Sequence, residues 1–273
     1  MSIRILANHA HVFPESVNAS GTIDRLLVLL DDCGIEQAVC FAPFSHQVGP
    51  LGIHHNRWLH EELKNRSRLF GFGTLDFGRD DIRDQVREAR DLGFRGLKLH
   101  PNAQQFDILS PRALEAYAAA QELGLFISFH SGVHQHRIAD YNLLKFDEVA
   151  WNFPDLHFSL EHVGGWAFFA EAVAVITNNI PFPPVPGRKC RVYGGLTSVF
   201  TPHYNRLWYM PRDRMLELIA QVGAEQLIFG LDFPYNLEEN TKMGINAIEA
   251  LGLSEAQRAM IFGGNLRELI GIR

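Results

Sequence analysis

The feature that most constrains the fold is an alternation of short apolar runs with longer amphipathic segments along the 273 residues. Each short run is typical of a buried strand, and the intervening segments carry apolar residues at helical spacing. The predicted strands are Ile3–Asn8, Gln37–Ala42, Leu69–Leu75, Arg95–His100, Leu125–His130, His157–His162, Val192–Val199 and Gln226–Leu231. Eight strand–helix repeats predict an α/β fold whose parallel sheet closes into a (β/α)8 TIM barrel.

The segments between the strands predict the helices, roughly Thr22–Cys33, Ile53–Lys64, Asp80–Leu92, Pro111–Leu123, Asn142–Asn152, Trp166–Asn178, Pro211–Val222 and Thr241–Leu251. An open doubly wound sheet is the alternative, but no Gly-x-Gly-x-x-Gly motif follows the first strand, which disfavours its dinucleotide-binding form. No linker is evident, so residues 1–273 are predicted to form one barrel domain with a C-terminal helical extension from about Ser254. The proline-rich segment Ile180–Arg191 predicts a long rigid loop outside the regular barrel, which either approaches the active-site mouth or is a surface connector on the opposite, amino-terminal face.

Composition excludes several classes of protein. The 31 acidic and 25 basic residues give a net charge of −6, which argues against binding nucleic acid or an anionic membrane. The cysteines, Cys33, Cys40 and Cys190, are odd in number and lack a Cys-x-x-Cys spacing, so neither a disulfide scaffold nor a cysteine zinc site is expected. No apolar stretch of about 18 residues and no signal-peptide core are present. We therefore expect a cytoplasmic protein with a small-molecule substrate, and homo-oligomer formation stays open.

Ionisable side chains end several of the predicted strands. In a strand, residues two apart share a face, so His9 and His11 project the same way with Ala10 opposite. In a closed barrel these carboxyl ends carry the active site. Imidazole and carboxylate groups are ligands that suit zinc and similar divalent ions. The sequence therefore predicts a metal site at this rim, from His9, His11, His130, His162 and Asp232.

The fourth strand adds two polar residues to the same interior. Lys98 and His100 flank Leu99 and share the inward face. A buried lysine needs a partner or a shifted pKa, so Lys98 either pairs with a carboxylate, binds a substrate carboxylate or is carboxylated to bridge two metals. His100 is a candidate for metal or substrate binding. His134 and His136 follow the fifth strand, and a solvated loop is the favoured interpretation for them.

Five motifs along the chain resemble those of one known family. They are His9-Ala10-His11-Val12-Phe13-Pro14, Gly96-Leu97-Lys98-Leu99-His100-Pro101, Phe129-His130-Ser131-Gly132, Glu161-His162-Val163-Gly164-Gly165 and Gly230-Leu231-Asp232-Phe233-Pro234. In this order they resemble the amidohydrolase superfamily of metal-dependent (β/α)8 barrels. Within it the chain is similar to the amidohydrolase-related group that contains relatives of aminocarboxymuconate-semialdehyde decarboxylase.

This resemblance implies His9, His11 and His130 as metal ligands, with Asp232 as a ligand or as the base beside a metal-bound water. It implies His162 as a ligand of a second metal or as a catalytic acid or base. Two positions depart from the family pattern. Asn8 stands where many relatives have aspartate, and strand alternation from His162 predicts that Glu161 points away from the barrel axis.

The predicted activity is metal-dependent hydrolysis of an amide, ester or lactone, with zinc as the expected metal. Asp232 would accept a proton from the attacking water, and His162 with the metal would stabilise the oxyanion. The alternative is a non-oxidative decarboxylase of an unsaturated or aromatic acid, in which Lys98 would hold the carboxylate. A third hypothesis, a metal-free binding protein, requires the whole histidine set to be fortuitous.

Overall fold

The sheet is a closed barrel of eight parallel strands in sequence order, with β1 paired to β8. The computed structural model describes residues 3–182 and 190–272. The strands are β1 (Leu6–His11), β2 (Gln37–Phe41), β3 (Leu69–Gly73), β4 (Gly96–Leu99), β5 (Phe126–His130), β6 (Phe158–Glu161), β7 (Val192–Leu196) and β8 (Leu227–Phe233). The predicted (β/α)8 barrel is confirmed.

Helices lie between the strands and around the barrel. They are α1 (Ile23–Asp32), α2 (Ser45–Val48), α3 (His55–Leu63), α4 (Ile82–Asp91), α5 (Pro111–Glu122), α6 (Lys145–Asn152), α7 (Phe169–Asn178), α8 (Arg212–Val222), α9 (Glu238–Glu249), α10 (Glu255–Ala259) and α11 (Asn265–Leu269). The start of α5 illustrates how the sequence determines where a helix begins. Ser110 caps it by accepting a hydrogen bond from the backbone N–H of Ala113, and Pro111 occupies the first helical position.

Two predicted segments differ from the structure or fall outside it. The first strand was predicted at Ile3–Asn8 but runs from Leu6 to His11, because Ala10 and His11 pair with β2. Of the proline-rich segment predicted to approach the active-site mouth, residues 183–189 lie outside the described part of the chain. In the part that the structure describes, no helix has both the length and the apolar character needed to cross a membrane.

The barrel interior divides into an apolar and a polar half. Toward the amino ends of the strands it is filled by side chains such as Leu6, Phe72 and Phe126, and Leu266 and Ile270 of the C-terminal helical segment pack against this cluster. Toward the carboxyl ends the interior side chains are polar and buried, and they are Asn8, His9, Lys98, Ser128, His130, Ser159, Glu161 and Asp232. The fold therefore closes one end of the barrel with hydrocarbon and collects the titratable groups at the other.

Candidate metal centre and active site

A β-bulge in β1 directs two consecutive polar residues, Asn8 and His9, into the barrel. The pairing passes from Ala7 opposite Ala38 to Ala10 opposite Cys40, so Asn8 and His9 together oppose a single residue of β2. His9 has a left-handed backbone with φ of 69°. Asn8 and His9 consequently both point inward, and His11 follows them onto the same side.

Three predicted ligand atoms converge at the carboxyl end of the barrel. The Nε2 atoms of His9 and His11 are 3.1 Å apart. Oδ1 of Asp232 lies 3.4 Å from Nε2 of His9 and 3.8 Å from Nε2 of His11. Metal–ligand bonds of about 2.0–2.2 Å place neighbouring ligand atoms about 3.0–3.5 Å apart, so this spacing is close to that of a coordination shell.

Glu161 lies inside the barrel, and the prediction that it points away from the axis is wrong. β6 ends at Glu161, so alternation places Glu161 on the same inward face as Ser159. His162 is outside the strand, and its left-handed φ of 63° turns its ring inward as well. Oε2 of Glu161 lies 3.0 Å from Nδ1 of His9.

The Glu161 carboxyl group accepts five hydrogen bonds from four parts of the barrel, with donors Asn8, His9, Ser128, Ser159 and Thr197. Two glycines leave the room that this network needs. A Cβ on Gly195 would lie 2.2 Å from Oε2 of Glu161, and a Cβ on Gly230 would lie 2.1 Å from Oγ1 of Thr197. The sequence did not lead us to predict this hydrogen-bond network. Serine and threonine at inward positions of the predicted strands were a signal that could have indicated it.

His162 is held by contacts on two sides. Its Nδ1 donates a 2.7 Å hydrogen bond to the carbonyl of Thr197, and its ring stacks on Trp208 with centroids 4.2 Å apart. Burial lowers the pKa of His162 to about 3, so the ring is neutral at pH 7. A neutral ring that donates through Nδ1 presents a lone pair on Nε2. His162 is therefore suited to accept a proton or bind a metal, rather than to donate to an oxyanion.

The two carboxylate oxygens of Asp232 have different neighbours. Ser198 donates a 2.5 Å hydrogen bond to Oδ2, while Oδ1 faces His9 and His11. Burial raises the pKa of Asp232 to about 6, and the Ser198 hydrogen bond and the nearby Lys98 ammonium oppose that rise. Asp232 and Ser198 both have left-handed backbones, with φ of 60° and 55°. Such strained positions concentrate at functional sites.

Lys98 is fully buried in the same polar half of the barrel. Its Nζ lies 3.5 Å from Nε2 of His9 and 5.2 Å from the centroid of the Phe41 ring. Burial lowers the pKa of Lys98 to about 8, and the charges of Glu161 and Asp232 counteract that decrease. The structure thus places Lys98 inside the barrel and beside the convergent ligand atoms.

His130 and His100 lie together in a second group of histidines. Their rings stack with centroids 3.8 Å apart and planes 7° apart. Nε2 of His130 donates to the carbonyl of Gly132 at 2.6 Å, and Nε2 of His100 lies 3.4 Å from Nδ1 of His134. The centroid of His130 is 4.8 Å from that of His162, so the two groups are neighbours at one rim.

The residues around His9 fit a divalent cation. Burial lowers the pKa of His9 and of His11 well below the usual range, so both rings are neutral and offer a lone pair. Glu161 occupies Nδ1 of His9, which directs Nε2 toward the shared centre, as carboxylates do behind metal-binding histidines. Two buried acids, Glu161 and Asp232, face one buried ammonium, so a bound cation would balance the carboxylate charge that Lys98 leaves unpaired.

The sequence profile of the amidohydrolase family matches residues 9–272 of this chain. The chain belongs to the amidohydrolase family. Its assignment as an amidohydrolase-superfamily enzyme agrees with the closed barrel and with the polar rim described above, and members of this group bind a divalent metal. The match starts at His9 and includes all five motifs from which the resemblance was drawn.

Part of this amidohydrolase is similar to a curated dihydroorotase. A dihydroorotase of Helicobacter pylori (strain HPAG1) is 30% identical over 119 residues, which are 40% of this chain and 35% of that protein. The chain therefore spans about a third of the length of this curated relative.

Solved structures share the whole barrel. A dihydroxybenzoic acid decarboxylase of Polaromonas sp. JS666, with bound manganese and 2-nitroresorcinol, superposes with a TM-score of 0.71 at 15% identity, covering 99% of this chain and 97% of that one. A Pseudomonas putida protein provisionally assigned as a 2-pyrone-4,6-dicarboxylic acid hydrolase gives 0.68 at 21% identity, covering 99% and 98%. At these identities the likeness establishes the fold.

Proposed function

We propose that this chain is a metal-dependent hydrolase that attacks an amide, ester or lactone carbonyl, with zinc as its metal. The observation that carries the proposal is the convergence of Nε2 of His9, Nε2 of His11 and Oδ1 of Asp232. Catalytic zinc sites in proteins use three side-chain ligands and keep another position for water or substrate. A divalent ion there supplies a Lewis acid that polarises a carbonyl and lowers the pKa of water.

Asp232 is the proposed general base. Burial raises the pKa of Asp232 above that of a solvent-exposed aspartate, so its carboxylate is the more basic and better suited to take a proton from the attacking water. Ser198 holds Oδ2, so Oδ1 is the oxygen that faces the reacting atoms. Asp232 then returns the proton to the leaving group. His162, with its lone pair on Nε2, is the second acceptor beside the substrate.

Lys98 is the proposed donor to the substrate oxygen. Its ammonium lies within the barrel at 3.5 Å from His9, and no other lysine or arginine among the described residues is fully buried there. An ammonium in a site shielded from water stabilises developing negative charge more strongly than it does in bulk solvent. The sequence-based assignment of His130 as a further metal ligand stays a prediction, and in the structure its ring stacks on that of His100.

The second candidate is non-oxidative decarboxylation of an unsaturated or aromatic acid, and Lys98 is the observation that favours it. A buried ammonium beside two metal-binding histidines can hold a carboxylate, and a protonated Asp232 can deliver a proton to carbon. The Polaromonas decarboxylase shares this barrel across nearly its whole length.

One experiment separates these functions. The chain is purified without added metal, its metal content is measured, and it is incubated with lactones, amides, esters and unsaturated or aromatic acids. Mass spectrometry distinguishes the products, because hydrolysis adds the elements of water and decarboxylation removes carbon dioxide. The His9→Ala/His11→Ala variant is the control. Turnover that persists in this variant and in chelator would contradict both functions.

A further inference from the structure

A chain of hydrogen bonds between buried side chains ends on Asp232. None of its other members is more than 6% exposed, and they are Thr201, Asn205, Asn236 and Ser198. Oγ1 of Thr201 donates to Oδ1 of Asn205, and Nδ2 of Asn205 donates to Oδ1 of Asn236 at 3.2 Å. Nδ2 of Asn236 donates to Oγ of Ser198 at 2.8 Å, and Ser198 donates to Oδ2 of Asp232 at 2.5 Å. Every donor in the chain therefore points toward the carboxyl group.

One backbone carbonyl fixes the direction of this chain. The carbonyl oxygen of Leu231 can only accept a hydrogen bond, so the atom of Asn236 that lies 2.8 Å from it is the amide nitrogen Nδ2. The other proton of Nδ2 then meets Oγ of Ser198, which has to accept it and donate its own proton to Asp232. Oδ1 of Asn236 in turn faces Asn205 and orients that amide. Strand β8 therefore sets the direction through the residue that precedes Asp232.

The two asparagines belong to separate connections at the carboxyl rim of the barrel. The backbone N–H of Asn236 donates to the carbonyl of Asp232 at 3.0 Å, in the turn at the end of β8. Asn205 lies in the loop after β7, and its carbonyl accepts the backbone N–H of Trp208 at 2.8 Å. The ring of Trp208 stacks on His162. The hydrogen bond between the asparagine side chains therefore joins the loop that holds Trp208 to the turn that holds Asp232.

The chain occupies one oxygen of Asp232 and leaves the other available. Hydrogen bonds that run in a single direction polarise one another, so each donor strengthens the next. Oδ2 consequently keeps the Ser198 proton, while Oδ1 lies 3.4 Å from Nε2 of His9. If Ser198 turned away, Nδ2 of Asn236 would lose an acceptor in a buried site, which is unfavourable. The chain thus resists rotation of the Ser198 hydroxyl and of the carboxyl group.

We propose that Asn205 and Asn236 are positioning residues, which keep Oδ2 of Asp232 hydrogen-bonded so that Asp232 reaches the metal and the substrate through Oδ1 alone. The proposal rests on the metal centre and the function proposed above. The side-chain partners of Asn236 are Asn205, Ser198 and the carbonyl of Leu231, so Asn236 acts on Asp232 through Ser198. Without the chain, the Ser198 hydroxyl turns to other acceptors and both carboxylate oxygens are available to a metal.

Two measurements separate this role from a purely structural one. The first is the visible spectrum of bound cobalt(II), which absorbs less strongly when its coordination expands beyond a tetrahedral set. A carboxylate that binds through both oxygens expands it in this way, so Asn236→Leu should lower the absorption of bound cobalt(II). Leucine keeps the branching and size of asparagine but cannot donate to Ser198. The second measurement is kcat with a substrate from the panel, which should fall about 10–100-fold, as for other lost partners behind metal ligands.

Three further variants locate the effect. Asn205→Ala should change both measurements in the same direction but less, because the β8 carbonyl still orients Asn236. Ser198→Ala/Asn236→Leu should be no worse than Ser198→Ala alone, since Asn236 acts through that hydroxyl. Asn56→Leu is the control, because Asn56 is also buried but its side chain bonds the backbone of Thr74, outside the chain. It should lose stability and keep the cobalt(II) spectrum and kcat of the parent.

Circular dichroism shows which variants are folded, and Asn236→Ala is the second variant if leucine is not tolerated. A folded Asn236 variant with the cobalt(II) spectrum and kcat of the parent overturns the proposal. A double variant whose loss in kcat is the product of the two single losses also overturns it, because Asn236 would then act independently of Ser198. A parent that binds no cobalt(II) contradicts the metal centre itself, and this proposal falls with it, so the two failures are distinguishable.

Discussion

Nδ1 of His9 lies 3.0 Å from Oε2 of Glu161, and this contact turns Nε2 of the same ring toward His11 and Asp232. The carboxyl group thus acts on the metal centre through His9, without reaching the centre itself. Glu161 is a positioning residue in this arrangement. Substitution of Glu161 should therefore weaken metal binding more than it slows the chemical step.

The first prediction is that Glu161→Gln lowers zinc affinity about 10–100-fold, the range typical of lost partners behind metal-binding histidines. Glutamine brings an amide N–H₂ into a pocket of hydrogen-bond donors, so His9 loses its fixed orientation. Competition with a chromophoric chelator measures the affinity. Glu115→Gln, at an exposed position of α5, is the control. Parent-like affinity in a folded Glu161→Gln chain would show that His9 is oriented by other contacts.

The second prediction concerns metal retention. His9→Ala/His11→Ala should purify without metal, because it removes two of the three convergent ligand atoms. Metal analysis after gel filtration measures this directly. His46→Ala/His203→Ala changes two exposed histidines and should retain metal like the parent. If the first variant retains as much metal as the parent, the catalytic centre is elsewhere.

The third prediction separates catalysis from binding at Asp232. Asparagine keeps the size and one oxygen ligand but cannot accept a proton, so Asp232→Asn should retain most of its metal and lose at least ~100-fold in rate. Metal content and kcat are measured on the same preparation with a substrate from the panel. Asp213→Asn, exposed on α8, is the control. Near-normal turnover with full metal occupancy would remove Asp232 as the base.

The fourth prediction tests the space that Gly195 leaves for Glu161. An added Cβ would lie 2.2 Å from Oε2, so Gly195→Ala must displace the carboxyl group or the strand. We expect a loss of about 1–3 kcal/mol in the free energy of unfolding, with weaker zinc binding. Urea denaturation measures the first. Gly49→Ala is the control, since its Cβ meets no atom within 4 Å. Equal stability of the two variants would contradict the predicted crowding.

The fifth prediction is an acid sensitivity away from the metal centre. His55 is buried at the start of α3 and its Nε2 donates to the carbonyl of Thr74 at 3.1 Å. Burial, reinforced by the adjacent His54, lowers the pKa of His55 to about 4. The unfolded chain therefore binds more protons than the folded chain between this pKa and about 6.5. Stability from His55 is present above pH 6.5 and is lost as the pH falls toward 4.

His55→Gln keeps a donor for Thr74 but does not titrate. Between pH 6.5 and 4 the parent should lose on the order of 3 kcal/mol more than this variant. Urea denaturation of the metal-free proteins at several pH values measures the difference, and His46→Gln, an exposed histidine, should follow the parent. Parallel curves for parent and His55→Gln would show that His55 is not held neutral by the fold.

The barrel and the inward positions of several site residues follow from a simple periodicity. Alternation along β4 predicts that Lys98 points into the barrel, because its neighbours Leu97 and Leu99 point the other way. In the structure Lys98 is buried inside the barrel. The same alternation gave the wrong direction for the Glu161 side chain, because it was counted from His162. His162 lies beyond the end of the strand and has a left-handed φ. Such a backbone conformation is uncommon for any residue other than glycine, and an apolar–polar pattern does not reveal it.

Residues from loops were the other omission. Trp208 stacks on His162, and Asn236 donates to Ser198, which in turn donates to Asp232. These residues follow β7 or β8 in connections without a repeating pattern. Their contacts depend on how separate loops fold back over the barrel rim, and no spacing in the sequence encodes that distance. Periodicity therefore locates groups on strands, and tertiary structure is needed for those that orient them.

The donors to Glu161 also link the order in which the barrel strands assemble to the burial of the Glu161 carboxyl group. They come from β1, β5, β6 and the residue after β7, so they surround the carboxyl group only when the first strand has joined the later ones. A partly assembled barrel that already buries Glu161 carries an unsatisfied acid, which raises its free energy. Half-closed intermediates are thereby disfavoured, and the acid that orients His9 makes closure of the barrel more nearly all-or-none.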